Sequence, residues 1–316
     1  MKQNWVNNIH VEGYVFNHTL QLRESKKDGT PFIMGDINVA TDENATNIVT
    51  VHFTYVTEKF SKSQKPNATF PVLKLIIDGN NTYEANGKNA IRVRIDGRAE
   101  VNDFYTREGE LASPKRIGGS FVHLLNAGEV VATNPATFEL DMLIYGCANK
   151  EVEDGEDYLE LNGYGFNFRG DILPLNLTVR DSGGIGYFEN QDISKGNPLL
   201  TKVWGNIVST IVKKETTVES AFGAPSVNVT TRTIRSWDVV GAAAEPMEFD
   251  DESTITKDEL KAAMNTRTEY LADVKKRQEE YEAQKSGKSG FPTQSATTVA
   301  VGATAKVTEN EDDFPF

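Results

Sequence analysis

RVRIDGRAEV, residues 92–101, is the stretch that indicates how this chain folds. Apolar and polar residues alternate along it, as they do in a strand with one buried face, and Gly97 interrupts the alternation. A strand divided by a glycine is typical of the bent or bulged strands with which small barrels turn a corner. A similar phrase, TKVWGNIVST, occupies residues 201–210. The two phrases predict two β-barrels that repeat one plan.

The first 244 residues are predicted to be mainly β-structure. Runs such as IVTVHFTYV (48–56) and LPLNLTV (173–179) are rich in β-branched and aromatic residues and are bounded by Gly, Asn and Asp. Few windows keep a helical period for three turns, so we expect only short helices here. We predict two five-stranded barrels, residues 1–126 and 127–244, each of a size that this architecture fits.

The character of the sequence changes after Pro246. Thr256 and Glu259 have the spacing of a capping box, and an apolar seam follows that predicts a helix of about seven turns within residues 245–284. Arg267 and Gln278 interrupt the seam, which favours packing on the body or on a partner over a strong coiled coil. Residues 285–316 are predicted to be a flexible small-residue linker that ends in a disordered acidic tip, ENEDDFPF.

Composition excludes several classes of function. The one cysteine, Cys147, rules out an internal disulfide and a multi-cysteine zinc site, and the four histidines lack metal-ligand spacing. No nucleophile, phosphate-loop or metalloprotease motif is present, so we expect no enzyme, no cofactor and no bound metal. No signal peptide or membrane span is expected, which favours an intracellular protein.

Charge limits where a nucleic acid could bind. The net charge is −13, of which residues 1–244 carry −6. A nucleic-acid site must therefore be a local basic stripe on an acidic protein.

The first candidate stripe is the strand that contains Arg92, Arg94 and Arg98, which alternate with apolar residues and so share one face. Aromatic and basic residues continue into the hairpin that follows. Such interleaving suits sequence-tolerant binding of single strands. The alternative is a half-exposed strand with a solvated basic face. The further candidates in the hairpin are Tyr105, Arg107, Lys115 and Arg116.

The second candidate is GYGFNFRG, residues 163–170. Tyr164, Phe166 and Phe168 are spaced i, i+2 and i+4, so a strand would present all three on one face, with Arg169 on the other. Three such rings could stack bases. The alternative is that they fill the core of a barrel.

Three segments resemble the bacterial-type single-stranded DNA-binding proteins. HVEGYVFNHTLQLRESKKDGTPFIMGDINVATD (10–42) is similar to the opening of that family, RVRIDGRAEVNDFYTREGE (92–110) to its Val-x-Gly-Arg strand and hairpin, and DDFPF to its acidic tail, which usually ends Asp-Asp-Ile-Pro-Phe. The matching residues of the opening are Gly13, Leu22, Arg23, Gly29, Val39 and Ala40.

This resemblance implies that the two predicted barrels are tandem OB-like domains, and that the chain binds and protects single-stranded DNA during replication, recombination and repair, without sequence specificity. It also implies that the acidic tip recruits replication and recombination proteins. The second barrel and the long helix depart from the usual bacterial plan, in which one such domain per chain assembles into a tetramer, so the oligomeric state stays open. The departures favour a bacteriophage or plasmid protein in the cytoplasm of a bacterial cell. The tip residues implied in partner binding are Asp312, Asp313, Phe314, Pro315 and Phe316.

Two other functions are compatible with the same pattern. Two β-domains and a helix would serve a structural protein of a virion, and a single-strand annealing protein would pair complementary strands as well as hold them.

Overall fold

The computed structural model describes residues 5–126, 129, 132–152, 156–218, 222 and 226–287. They divide into two compact units. The first contains the residues up to Asn102 and those from Ser113 to Arg267, and the second contains Asp103–Ala112 and the residues from Thr268 onward. Most of the predicted linker and the whole predicted tip lie outside the described residues. No helix in the described part of the chain is long and apolar enough to cross a membrane.

The first half of the chain forms a closed five-stranded barrel. Its strands pair in the circuit β1–β5–β8–β4–β3–β1, in which β4 and β8 are parallel and the other pairs antiparallel. The strands of this half are β1 (Asn7–His18), β2 (Gln21–Glu24), β3 (Pro31–Ala40), β4 (Ile48–Thr57), β5 (Arg92–Val101), β6 (Phe104–Tyr105), β7 (Leu111–Ala112) and β8 (Lys115–Leu124). Its helices are α1 (Thr69–Gly79), α2 (Tyr83–Asn86) and a 3₁₀ turn (Gly87–Asn89).

The second half repeats this circuit. The pairing order is β9–β12–β13–β11–β10–β9, and again one pair, β11 with β13, is parallel. The prediction of two five-stranded barrels with one plan is confirmed. The elements are β9 (Ala136–Lys150), β10 (Tyr158–Phe166), β11 (Ile172–Val179), α3 (Ser182–Glu189), β12 (Leu199–Val218) and β13 (Ser226–Ala242).

The first strands of the two barrels join the two halves. β1 pairs antiparallel with β9, from Asn7 opposite Leu140 to Val11 opposite Ala136, so that eleven strands form one sheet. A single hydrophobic cluster contains buried residues of both barrels; Ile95, on β5, is one of those that the first barrel contributes. A domain boundary at residue 126 stays a prediction.

Both glycine-divided strands contain the predicted irregularity. The register of β5 against β8 shifts at Gly97, and that of β12 against β13 shifts at Gly205. A Cβ atom on Gly97 would lie 2.5 Å from the carbonyl oxygen of Gly118, and one on Gly205 would overlap the carbonyl oxygen of Asp238. Only glycine lets the neighbouring backbone come this close, which is why the two phrases resemble each other.

The predicted long helix is α4, Lys257–Gly287. Its capping box is formed as expected: the Thr256 hydroxyl accepts from the Glu259 N–H at 3.2 Å, and Glu259 Oε2 accepts from the Thr256 N–H at 3.1 Å. Leu260 and Ala263, on the first turns, pack against a second hydrophobic cluster that includes Trp5. Over the first turns of the helix, the apolar seam therefore packs against the barrels.

Candidate nucleic-acid interface

The basic strand has the predicted alternation. In β5, Val93, Ile95 and Ala99 are buried, whereas Arg92 and Arg94 are partly exposed on the other face. The structure thus puts the arginines of this strand on the outer side of the barrel. Binding of phosphates by these arginines stays a prediction.

The arginines of this face are already engaged with protein groups. Arg94 donates from Nε to Glu12 Oε1 at 2.5 Å, and the Arg92 guanidinium donates to the Glu129 carbonyl oxygen at 2.9 Å. Arg98 and Arg116 lie on either side of Glu100, at 2.8 and 3.3 Å from its carboxylate oxygens. A phosphate would have to compete with these partners, so the face offers less free positive charge than the sequence suggests.

Glu12 is the centre of one of these networks, and its side chain is only 2% exposed. Burial raises the pKa of Glu12, but hydrogen bonds from the Ala132 N–H, Arg94 and His10 outweigh burial and hold the pKa below its ordinary value. The carboxylate is therefore charged at neutral pH, and Arg94 is its structural counter-ion.

Lys115 is half-buried and faces the second barrel. Its Nζ donates to the carbonyl oxygen and to Oδ1 of Asn176 at 2.6 and 2.9 Å, and it lies 5.6 Å from the centre of the Trp237 ring. Burial lowers the pKa of Lys115 to about 8. In this position Lys115 connects β8 to β11, and a phosphate would have to compete with Asn176 for its amine. Contact of Lys115 with a DNA backbone stays a prediction.

This position of Lys115 predicts a pH dependence of stability. Between pH 8 and about 10, the buried amine loses its proton, whereas the amine of the unfolded chain, with a pKa of about 10.4, keeps it. The unfolded state then binds more protons, so the free energy of unfolding should rise with pH in this range. Urea unfolding of the wild type and of Lys115→Met would measure the rise. Equal pH slopes for the two proteins would contradict the assignment.

The hairpin predicted to follow the basic strand contains β6 and β7 and lies in the second unit. Tyr105 is partly exposed, and Lys275 lies 5.6 Å from its ring centre. Arg107 is exposed in the turn between the two strands. Both residues are accessible, as their predicted role requires.

The aromatic residues of GYGFNFRG do not share one surface. Phe166 is fully buried and stacks on Trp5, with ring centroids 4.0 Å apart. Tyr164 is partly buried beside Tyr145, and burial raises its pKa. The idea of a three-ring stacking platform is therefore wrong, and the core alternative applies to Phe166.

Phe168 and Arg169 lie beyond the end of the strand. Because β10 ends at Phe166, the two residues belong to the turn before β11 and no longer alternate with the strand. Phe168 is 75% exposed, and the Arg169 guanidinium lies 5.2 Å from its ring centre. This exposed pair is what remains accessible of the second candidate.

A surface better suited to contact a single strand of nucleic acid lies on strands β3 and β4 of the first barrel. The rings of Phe32 and Tyr55 lie side by side on its outside, with centroids 4.4 Å apart, and Tyr55 is 52% exposed. Phe60, also exposed, belongs to the loop after β4. We call this surface, with the cations at its edge, the aromatic–cationic patch.

The cations come from strand β2 and from two loops at the same end of the sheet. Arg23 is opposite Phe32 in the β2–β3 pairing, and Phe32 is opposite Thr57 in the β3–β4 pairing, so the β2–β3 turn and the loop after β4 are neighbours. Residues 21–32 and 54–66 together hold six lysines and arginines and three acids, a net of +3 in a chain of −13. The cations are Arg23, Lys26, Lys27, Lys59, Lys62 and Lys65.

Sequence reasoning missed this patch. RESKKDG and EKFSKSQK are visibly basic, but they lie some 30 residues apart, and only the pairing of β3 with both β2 and β4 brings them together. A search for lysine clusters at the ends of predicted neighbouring strands would have found it.

A comparison with protein families matches residues 6–277 to the model of the YorF family. The chain belongs to the YorF family. No curated protein matches it in sequence.

Solved structures similar to this YorF-family chain have low sequence identity. A deletion mutant of the single-stranded DNA binding protein from Thermus aquaticus is 12% identical, with a TM-score of 0.45, over 78% of this chain and 98% of that chain. The wild-type form of that protein is 11% identical, with a TM-score of 0.44, over 78% and 95%. A Plasmodium falciparum SSB in complex with ssDNA is 13% identical, with a TM-score of 0.24, over 40% and 100%.

The second barrel of this YorF-family chain differs at the place that corresponds to the patch. Tyr158, at the start of β10, is covered by the Arg180 guanidinium, 5.1 Å from its ring centre, and Arg180 in turn lies 3.4 Å from Asp238. Residues 149–162 hold six acids and one base, a net of −5. The two barrels share a circuit of strands, but the segment that leads into β10 is acidic, whereas the two segments of the patch are basic.

Proposed function

We propose that this chain binds single-stranded DNA without sequence specificity, and that the aromatic–cationic patch of the first barrel is the contact surface. The observation that carries the proposal is the adjacent pair of rings on the outside of the barrel, Phe32, which is partly exposed, and Tyr55, which is exposed, together with the six cations at its edge. Every base has a π-face that can stack on such rings, and lysines and arginines neutralise the phosphates whatever the sequence. Stacking needs bases that are not paired, which favours a single strand over a duplex.

The place of the patch in the barrel supports this proposal. OB-type barrels bind oligonucleotides on the face of their second and third strands and on the loop between the first and second strands. In the first circuit these are β3, β4 and the segment that contains β2. The aromatic–cationic patch contains residues of all three segments.

The difference in local charge between the two barrels supports a DNA contact on the first one. A phosphate backbone is attracted by a local net charge of +3 and repelled by one of −5. At the corresponding place in the second barrel, Arg180 is held by Tyr158 and Asp238. We therefore propose that the first barrel supplies most of the affinity.

We also propose that the acidic tip recruits replication or recombination proteins in a bacterial host. Phe316 and Pro315 would enter an apolar pocket of the partner, and Asp312 and Asp313 would meet basic residues around it. The support for this proposal is the sequence of the tip: a solubilising tail needs acids but not two phenylalanines and a proline.

An anisotropy titration of labelled oligo-dT tests the DNA-binding proposal. We expect tight binding at low salt that weakens as salt rises and that a duplex of equal length does not displace. A chain without residues 309–316 should be titrated in parallel, because an acidic tip can compete with DNA for a basic surface. Absence of binding by both forms at low salt would overturn the proposal, and faster pairing of complementary strands would favour an annealing protein.

Deleting the tip tests recruitment separately. Removal of residues 309–316 should abolish capture of host replication proteins and leave oligo-dT binding intact or tighter. Phe316→Ala in the full chain is the more specific test of the aromatic anchor, because it keeps every acidic residue of the tip. Unchanged capture by the deleted form would contradict the proposed role of the tip.

A further inference from the structure

Gln278 interrupts the apolar seam of α4, and the structure shows what its side chain does. Its Nε2 donates to the Tyr105 carbonyl oxygen at 2.6 Å, and its Oε1 accepts from the Tyr105 N–H at 3.0 Å. A single side-chain amide thus satisfies both backbone groups of one residue, as a neighbouring strand would. Gln278 and Tyr105 belong to the same compact unit although 173 residues separate them.

The hairpin that contains Tyr105 has little structure of its own. β6 and β7 are two residues each, and their register consists of Phe104 opposite Ala112 and Tyr105 opposite Leu111. They form a sheet of their own, apart from the eleven-stranded sheet. A two-stranded hairpin is at best marginally stable, so bonds from outside decide whether it keeps one conformation.

The neighbours of Gln278 on the helix add to the same contact. Lys275, one turn earlier, lies 5.6 Å from the Tyr105 ring centre, at a distance typical of a cation–π pair. Val274 is buried, although most of the surrounding helix surface is exposed. Backbone and ring of Tyr105 are therefore both held from α4.

We propose that Gln278 is a positioning residue for DNA binding: it fixes the β6–β7 hairpin, residues Asp103–Ala112, in the conformation in which Tyr105 and Arg107 can contact the strand. This inference rests on the proposed function. The hairpin connects the fourth and fifth strands of the first barrel, the second of the two connections that bind oligonucleotides in OB-type barrels. A hairpin fixed in advance loses less conformational freedom on binding, so the affinity is higher.

Gln278→Met tests the proposal because methionine keeps the length and the zero charge of glutamine but neither donates nor accepts strongly. Ala272→Met is the matched control, since Ala272 is an exposed residue on the same helix. The first measurement is hydrogen exchange at the Tyr105 amide, together with the rate of tryptic cleavage after Arg107. Both rates should rise about tenfold in Gln278→Met and stay unchanged in Ala272→Met.

The second measurement is the affinity for oligo-dT. We expect a loss of about three- to tenfold in Gln278→Met at an unchanged melting temperature, which a purely structural role would not produce. If hydrogen exchange at the Tyr105 amide is unchanged in Gln278→Met, Gln278 does not hold the hairpin in place. Faster exchange with unchanged affinity would overturn the positioning role. If the proposed function itself is wrong, the wild-type chain will not bind oligo-dT, and this result is distinct from every result for Gln278→Met.

Discussion

Phe166→Ala is expected to lower the free energy of unfolding by about 3 to 5 kcal/mol, the usual cost of removing a buried phenylalanine. Phe166 is fully buried, its ring stacks on Trp5, and the same cluster contains Leu143 and Ile255, which precedes α4. Alanine would leave a cavity where strand β10 and the segment before the helix meet. Denaturant unfolding, followed by fluorescence and by circular dichroism, measures the loss.

Phe168→Ala is the matched control for this prediction. Phe168 is two residues away but 75% exposed, so its removal should change the stability by less than about 0.5 kcal/mol. A loss below about 1 kcal/mol for Phe166→Ala would contradict its place in the core and return it to the list of candidate stacking residues.

The double variant Phe32→Ala, Tyr55→Ala should weaken binding to oligo-dT by at least about 30-fold. Each base stacked on an aromatic ring contributes about 1 to 3 kcal/mol, and the two rings of the patch are both lost. Tyr55 is 52% exposed, so the melting temperature should fall little. Anisotropy titrations at two salt concentrations measure the loss. The salt dependence should persist, because the cations of the patch remain.

Tyr158→Ala in the second barrel is the matched control for this variant. Tyr158 begins the corresponding strand but lies in an acidic segment and under Arg180, so its removal should leave the affinity nearly unchanged. An equal loss in both variants would show that both barrels bind DNA. No loss in the double variant, with wild-type binding intact, would remove the patch from the interface.

Local patterns predicted the fold well because the deciding features are local. The glycine in RVRIDGRAEV marks a register shift that the sequence alone could place, since only a residue without a Cβ fits there. The capping box of Thr256 and Glu259 is equally local, as both of its bonds lie within one turn.

The site was harder to predict because its properties depend on pairing between distant strands. The free charge of Arg94 depends on Glu12, which register places opposite it on β1. The alternation in GYGFNFRG could not distinguish a surface from a core, because a strand buried on one face has the same period in either case. Strand β10 ends at Phe166, which separates the buried Phe166 from the exposed Phe168 in the turn, and no feature of the sequence indicates that the strand ends there.

The pairing of β1 with β9 has a consequence for how the protein behaves on dilution. Two barrels that meet through their first strands could be two molecules, whose contact would separate at low concentration. Here one polypeptide supplies both strands, so their encounter is intramolecular and the pairing does not depend on protein concentration. The same pairing occupies an edge of each strand that would otherwise be open to strands of other molecules, which is a common origin of aggregation. A chain of this design can keep its two-barrel body intact even at very low protein concentrations.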